Sequence, residues 1–226
     1  MSNDNLTIEQ LTGRACGHLV SLNSHHRLQF NATKAFLALQ QAAARAGFKL
    51  QPASSFRDFT RQQAIWNGKF TGARVVLDAD SQPLDITQLS EGQLCEAILR
   101  WSALPGASRH HWGTELDIYD PFLLPEDKSL ELTPWEYEEG GYFYHLSQWL
   151  TDNMAAFDFY RPFTATDAGV AYEPWHISYW PLSHQAEALL TPEVIAQVLS
   201  TEDIAGKTWL LANLSTVFER YIRLPE

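Results

Sequence analysis

Three short segments of this 226-residue chain gather the residue types that metal and acid–base chemistry require. The first runs Ser108-Arg109-His110-His111-Trp112-Gly113-Thr114-Glu115-Leu116-Asp117. The second is Glu173-Pro174-Trp175-His176, and the third is Ser54-Ser55-Phe56-Arg57 followed by Arg61 and Gln62. His110, Asp117 and His176 offer two imidazoles and one carboxylate, a three-ligand set for catalytic zinc with one position left for water. A seven-residue offset would put His110 and Asp117 on opposite faces of one straight strand. Gly113 between them supplies a sharp bend, so the histidine can sit on a turn and the aspartate on the strand that follows. Glu173, three residues before His176, can stand beside the water without ligating, the general-base position of metal-assisted hydrolysis. Singly, each residue has a plainer reading: Asp117 a strand-end acid, Glu173 a solvated loop acid, Arg57 a surface cation, Trp175 core. His25, His26, His145 and His184 keep that plainer reading.

Such residues need elements that bring them together. Thr7-Ile8-Glu9-Gln10 has capping-box spacing and predicts a first short helix. Residues 32–46 predict a helix with Phe36, Leu39, Ala43 and Ala46 on one face and Gly47 as its stop. A short strand over 48–52 and a polar turn then lead into a helix over 58–67 that Gly68 ends. Residues 73–89 read as a surface loop or hairpin. Ser90 and Gln93 open a helix through Leu94, Ala97, Ile98 and Trp101. Residues 114–119 alternate polar and apolar like a strand. The stretch 121–139, with three prolines and many acids, reads as an excursion over the surface. Leu146, Trp149, Leu150 and Met154 mark a helix over 142–156, and 170–180 reads as a strand whose proline suits an edge or bulge. Thr191-Pro192 is an N-cap followed by proline at the first helical position. Leu210, Leu214, Val217 and Tyr221 give the last helix its apolar face. Helices at both ends around short central strands argue an α+β fold.

Length and composition suit one domain over residues 1–226, able to bury a full core unaided. Lys and Arg total 16 against 27 acids, a formal charge of -11, which opposes nucleic acid and anionic membrane surfaces. The start carries acid instead of base and no apolar run of signal-peptide length. No window approaches the roughly 18 uninterrupted apolar residues that span a bilayer. Cys16 and Cys95 read as two buried, reduced thiols. The expected compartment is the cytoplasm.

The three segments together resemble the zinc peptidases of the lysostaphin, D-Ala-D-Ala carboxypeptidase and Sonic hedgehog group. The similarity is greatest to the D-alanyl-D-alanine carboxypeptidases of the vancomycin-resistance type. It lies in Ser108-x-His110 with Gly113 and Asp117, in Glu173-x-x-His176, and in Ser55-Phe56-Arg57 with Gln62, and covers about residues 45–185. The resemblance implies a small, mainly antiparallel sheet packed by helices. It implies one zinc on His110, Asp117 and His176, Glu173 as base, and Arg57 as stabiliser of the oxyanion or holder of the substrate. It also places Gln62 and Ser108 near the substrate's end, and Trp175 beside the ligand is taken as a third substrate contact. His110 is preferred to His111 because only His110 has the right offset to Gly113 and Asp117. One departure is Glu115, where the family pattern often has a small residue such as alanine.

The implied substrate is a peptidoglycan stem peptide losing a terminal D-alanine. In the cytoplasm, D,D-carboxypeptidase action would threaten pentapeptide wall precursors, so L,D-action on recycled tetrapeptides is favoured. D-Ala-D-Ala cleavage and dipeptidase action stay open. A phage-type endolysin would need a basic surface or a wall-binding module, and a non-catalytic zinc domain would need neither Glu173 nor Arg57. For the cation that meets a terminal carboxylate, Arg57 and Arg61 are candidates and Arg109 a weaker third.

Overall fold

The alternation in Thr114-Glu-Leu-Asp-Ile-Tyr119 places Glu115 and Asp117 on one side of a strand and Leu116 and Ile118 on the other. That division organises the whole protein. The structure, a computed structural model, describes residues 6–164 and 169–223; the acidic start at residues 1–5 lies outside them. In chain order the elements are α1 (Ile8–Leu11), β1 (Leu19–Ser21), β2 (Arg27–Gln29), α2 (Phe30–Arg45) and β3 (Gln51–Ser54). There follow α3 (Phe59–Phe70), α4 (Glu91–Trp101), β4 (Glu115–Tyr119), α5 (Tyr144–Asn153), β5 (Phe159–Tyr160) and β6 (His176–Tyr179). The chain closes with α6 (Trp180–Leu189), α7 (Pro192–Thr201), α8 (Lys207–Ala212) and α9 (Leu214–Val217).

Strands β1 and β2 form a hairpin, while β3, β4, β6 and β5 make an antiparallel sheet in that order. The α+β expectation holds. Leu116, Ile118 and Ile177 are fully buried on one face, packed in a core with Phe36, Leu39, Phe143 and Leu146 from α2 and the α5 region. Full burial of each such side chain contributes about 1.5–3 kcal/mol. A second core, of Trp66, Ile98, Leu104, Ile195, Leu199 and Leu210, ties α3 and α4 to the C-terminal helices.

Caps legible in the sequence form as expected: Thr7 and Ser90 close capping boxes, and Thr191 accepts from the Val194 N–H. Other boundaries move. The strand expected over 48–52 is Gln51–Ser54, and the helix expected to stop at Gly68 continues to Phe70. A Cβ on Gly68 would meet the exposed Arg74 side chain at 3.1 Å. The excursion over 121–139 ends by folding inward, where Glu136 and Tyr137 are buried and the Glu136 carboxylate accepts the Thr133 N–H. Only Tyr144–Asn153 of the helix expected over 142–156 is α-helical, with a 3-10 turn following. The 170–180 strand shortens to β6 and is interior instead of an edge; Pro174 avoids breaking the ladder by preceding it. The last helix is broken into α8, α9 and a π turn over Phe218–Ile222. Cys95 is buried as expected but Cys16 is exposed, and neither is in a disulfide.

Candidate metal centre and active site

Strands β4 and β6 pair so that Asp117 stands directly opposite His176 and Glu115 opposite Ser178. Directly opposed residues share a face with Cβ atoms about 4.5–5.5 Å apart, so the register alone brings the first carboxylate and imidazole together. His110 arrives from a 3-10 turn over Arg109–Trp112 that ends at Gly113 in the left-handed region, φ 73°. A side chain at Gly113 would also collide with Leu19, so glycine is required there for conformation and for space. His110, Asp117 and His176 are all buried, and their nearest donor atoms lie within 4.8 Å of one another.

The geometry fits a metal ion better than a hydrogen-bonded cluster. His110 Nε2 is 3.3 Å from Asp117 Oδ2, and His176 Nδ1 is 3.1 Å from Asp117 Oδ1 and 3.6 Å from Glu173 Oε2. Yet His176 Nδ1 is buried without an aligned hydrogen-bond partner. The opposite ring atoms are both held from behind, His110 Nδ1 by the Ser55 carbonyl at 2.8 Å and His176 Nε2 by Glu115 Oε2 at 2.8 Å. That leaves His110 Nε2, a carboxylate oxygen of Asp117 and His176 Nδ1 as the donors for a divalent ion.

His111 is excluded by its own bonds. Its Nδ1 lies 2.6 Å from the Arg57 carbonyl, and its Nε2 accepts the Gly106 N–H at 3.1 Å. Burial pushes its pKa down to about 3, so it stays a neutral ring with both nitrogens in use. It is a pin that fastens the His110 turn to the Arg57 segment.

Glu173 sits in a loop whose N–H groups are tied at Glu173 to Phe163 O and at His176 to Glu173 O. Arg161 anchors the same loop to α5, donating to Pro174 O, Ser147 O and Thr151 Oγ1. Burial raises the Glu173 carboxyl to about pKa 7, with the Asp117 charge adding to it and His176, Arg57 and Lys69 opposing. Burial disfavours charge on the His176 imidazole, but the Asp117 and Glu115 carboxylates on either side of it push its pKa up to about 10, so the same two carboxylates favour a cation at this ring.

Arg57 reaches the centre from just before α3, which starts at once because Asp58 caps it by accepting the Arg61 N–H. Its N–H donates to His110 O, its Nη1 to Gln62 Oε1 at 2.8 Å, and its Nη2 lies 3.9 Å from Asp117 Oδ2. Arg57 Nε is buried with no partner among the described residues.

Gln62 and Trp175, both expected near the substrate, are buried. Gln62 has both ends of its amide engaged, accepting from Arg57 and donating to Ala103 O at 2.6 Å, so it orients Arg57. Trp175 points to the other side of the sheet from His176 and packs on Tyr137 in the sheet core. Ser108 is buried at the start of the His110 turn. Arg61 is exposed, and Arg109 is buried against Glu115 and Glu187.

A family model described as VanY, D-alanyl-D-alanine carboxypeptidase, matches residues 25–182. The chain belongs to that family. VanY-family chains are peptidases, and this one is an enzyme of that kind. A Haemophilus influenzae protein of uncharacterised function is 49% identical over 121 residues, covering 53% of this chain and 92% of its own. The solved vancomycin-resistance D,D-pentapeptidase VanY, from the VanB-type cassette and in complex with Zn(II), is 20% identical. It matches with TM-score 0.53 over 85% of this chain and 88% of its own. The LdcB LD-carboxypeptidase is 18% identical, with TM-score 0.54 over 88% of this chain and 79% of its own. At these identities the likeness establishes a shared hedgehog-like fold. The buried His-Asp-His group of this VanY-family chain is a site for a metal of the kind seen in the VanY structure.

Sequence reading missed three parts of the site. Lys69, near the end of α3, is pushed down in pKa by burial while Glu173 pulls it back up, so its charge acts on the centre. Arg161 was unmarked by any motif. The Glu115–Arg109 pair was visible only as a departure from the VanY pattern, although period-two alternation already put Glu115 on the face of Asp117.

Proposed function

We propose that this chain is a zinc carboxypeptidase that removes a terminal D-alanine from peptidoglycan stem peptides, working in the cytoplasm. The observation that carries the reading is the convergence of His110, Asp117 and His176 within 4.8 Å, with Glu173 3.6 Å from His176. Zinc held there supplies a Lewis acid, which activates water and polarises a carbonyl. Glu173 is placed to take the proton of the attacking water and to pass it to the departing amine. A base with pKa about 7 is suited to both halves of that transfer near neutral pH. Arg57, held by Gln62 with its Nη2 3.9 Å from Asp117, is the cation placed to stabilise the oxygen that becomes negative as the carbonyl is attacked. Lys69 adds a second positive charge for the substrate's free carboxylate.

Tetrapeptides are the favoured substrates. A cytoplasmic enzyme that cut D-Ala-D-Ala freely would consume pentapeptide wall precursors, whereas removing D-alanine from recycled tetrapeptides spares them. Purified protein incubated with tri-, tetra- and pentapeptide muropeptides and read by mass spectrometry tests this. Loss of one alanine mass from the tetrapeptide alone supports the reading. Loss from the pentapeptide makes it a D,D-carboxypeptidase, and no loss from any substrate refutes the carboxypeptidase proposal.

A further inference from the structure

Glu115 occupies a position where the resembling family often has a small residue, and a buried carboxylate there needs a reason. Taking an ion out of water costs several kcal/mol unless hydrogen bonds and a counter-charge replace the solvent. Glu115 is fully buried, and its oxygens are fully engaged. Oε1 accepts from Ser178 Oγ at 2.7 Å and from Thr114 Oγ1 at 2.9 Å. Oε2 lies 2.8 Å from His176 Nε2 and 3.5 Å from Arg109 Nε. Arg109 is fixed in turn by Glu187 at 3.0 Å, Tyr160 at 2.7 Å and Ser178 at 3.2 Å. The register explains the reach: Glu115 opposes Ser178, so it is the diagonal neighbour of His176 on the polar face, a span that long side chains bridge.

The two imidazoles are therefore held in opposite senses. His110 is backed at Nδ1 by a neutral carbonyl and offers Nε2, whereas His176 is backed at Nε2 by a carboxylate and offers Nδ1. An acceptor-only carboxylate admits only the Nε2–H form of the ring, which leaves the Nδ1 lone pair for a metal. We propose that Glu115, braced by Arg109, is a positioning residue that fixes the tautomer and ring orientation of His176 and strengthens Nδ1 as a metal donor. This inference rests on reading His110, Asp117 and His176 as a metal site.

The test is zinc affinity of the full chain, measured by competition with a chromophoric chelator, beside the unfolding midpoint of the zinc-stripped protein. Glu115→Gln keeps the shape and leaves Arg109 its bonds to Glu187 and Tyr160. It is expected to weaken zinc binding about 10- to 100-fold. Its turnover number should fall with little change in KM, and the stripped protein should unfold cooperatively. Ser178→Ala, which removes one hydrogen bond to Oε1 and one from Arg109 but keeps the charge, should weaken zinc binding less. Glu115→Gln folding normally and binding zinc as tightly as the parent overturns the proposal. If Glu115→Gln does not fold, Glu115→Asp decides, because it withdraws the charge from His176 by one methylene. Weaker zinc binding by Glu115→Asp supports the role, and unchanged binding overturns it. Failure of the parent protein to bind zinc instead removes the metal site itself.

Discussion

The two faces of the β4–β6 pair are built from the same few residues and do opposite work. Leu116, Ile118 and Ile177 face α2 and α5 and are fully buried among apolar neighbours. Glu115, Asp117, His176 and Ser178, their alternating companions, are nearly as buried but meet charge and hydrogen bonds instead. Burial alone therefore does not mark a core here. On one face it excludes water from methylene groups, which stabilises the fold. On the other, burial itself raises Glu173, while His110 and His176 hold Asp117 well below the usual carboxylate range against that same burial.

Substitutions on and around the pair should separate these roles. The largest loss of turnover is expected from Glu173→Ala, which removes the base and should lower kcat by roughly 100- to 10,000-fold. Its zinc content, read by elemental analysis, should stay at the parent level, because Glu173 stands beside the ligands without being one. Activity surviving that change would reassign the base. Next comes Arg57→Ala, expected to cost on the order of 100- to 1000-fold in kcat in steady-state assays, the usual penalty for losing one preorganised donor. A loss confined to KM would make Arg57 a binding residue only. The smallest effect on turnover belongs to the apolar face. Ile177→Ala should lower stability by about 2–5 kcal/mol in urea unfolding, yet leave zinc stoichiometry and the activity per folded molecule unchanged. If Ile177→Ala lost zinc while remaining folded, the two faces would not be independent.

Much of the site was legible because spacing encodes faces and turns. Gly113 between His110 and Asp117 announced the bend, and Glu173 three residues before His176 announced an acid beside a ligand, although the strand read over 170–180 begins only at His176. Helix caps at Thr7, Ser90 and Thr191 are local events and formed as read. What spacing cannot encode is the partner across a sheet. Nothing in residues 114–119 says that Asp117 will oppose His176, 59 positions away, or that Glu115 will lie diagonal to it; the tertiary register decides both. The orientations of Gln62 and Trp175 were hidden for a related reason. A motif shows that a residue is near a site, while its rotamer and strand face decide whether it looks into the site or away from it. The helix that outran Gly68 shows tertiary packing overriding a weak local stop signal.

Zinc content of the parent chain and of His176→Ala, determined by elemental mass spectrometry after gentle purification, probes the shared ligand set most directly. The account predicts one zinc per chain in the parent and none in the variant, which should also be inactive. A parent protein that carries no transition metal and takes none up, or a folded His176→Ala variant that keeps its full complement, would contradict it.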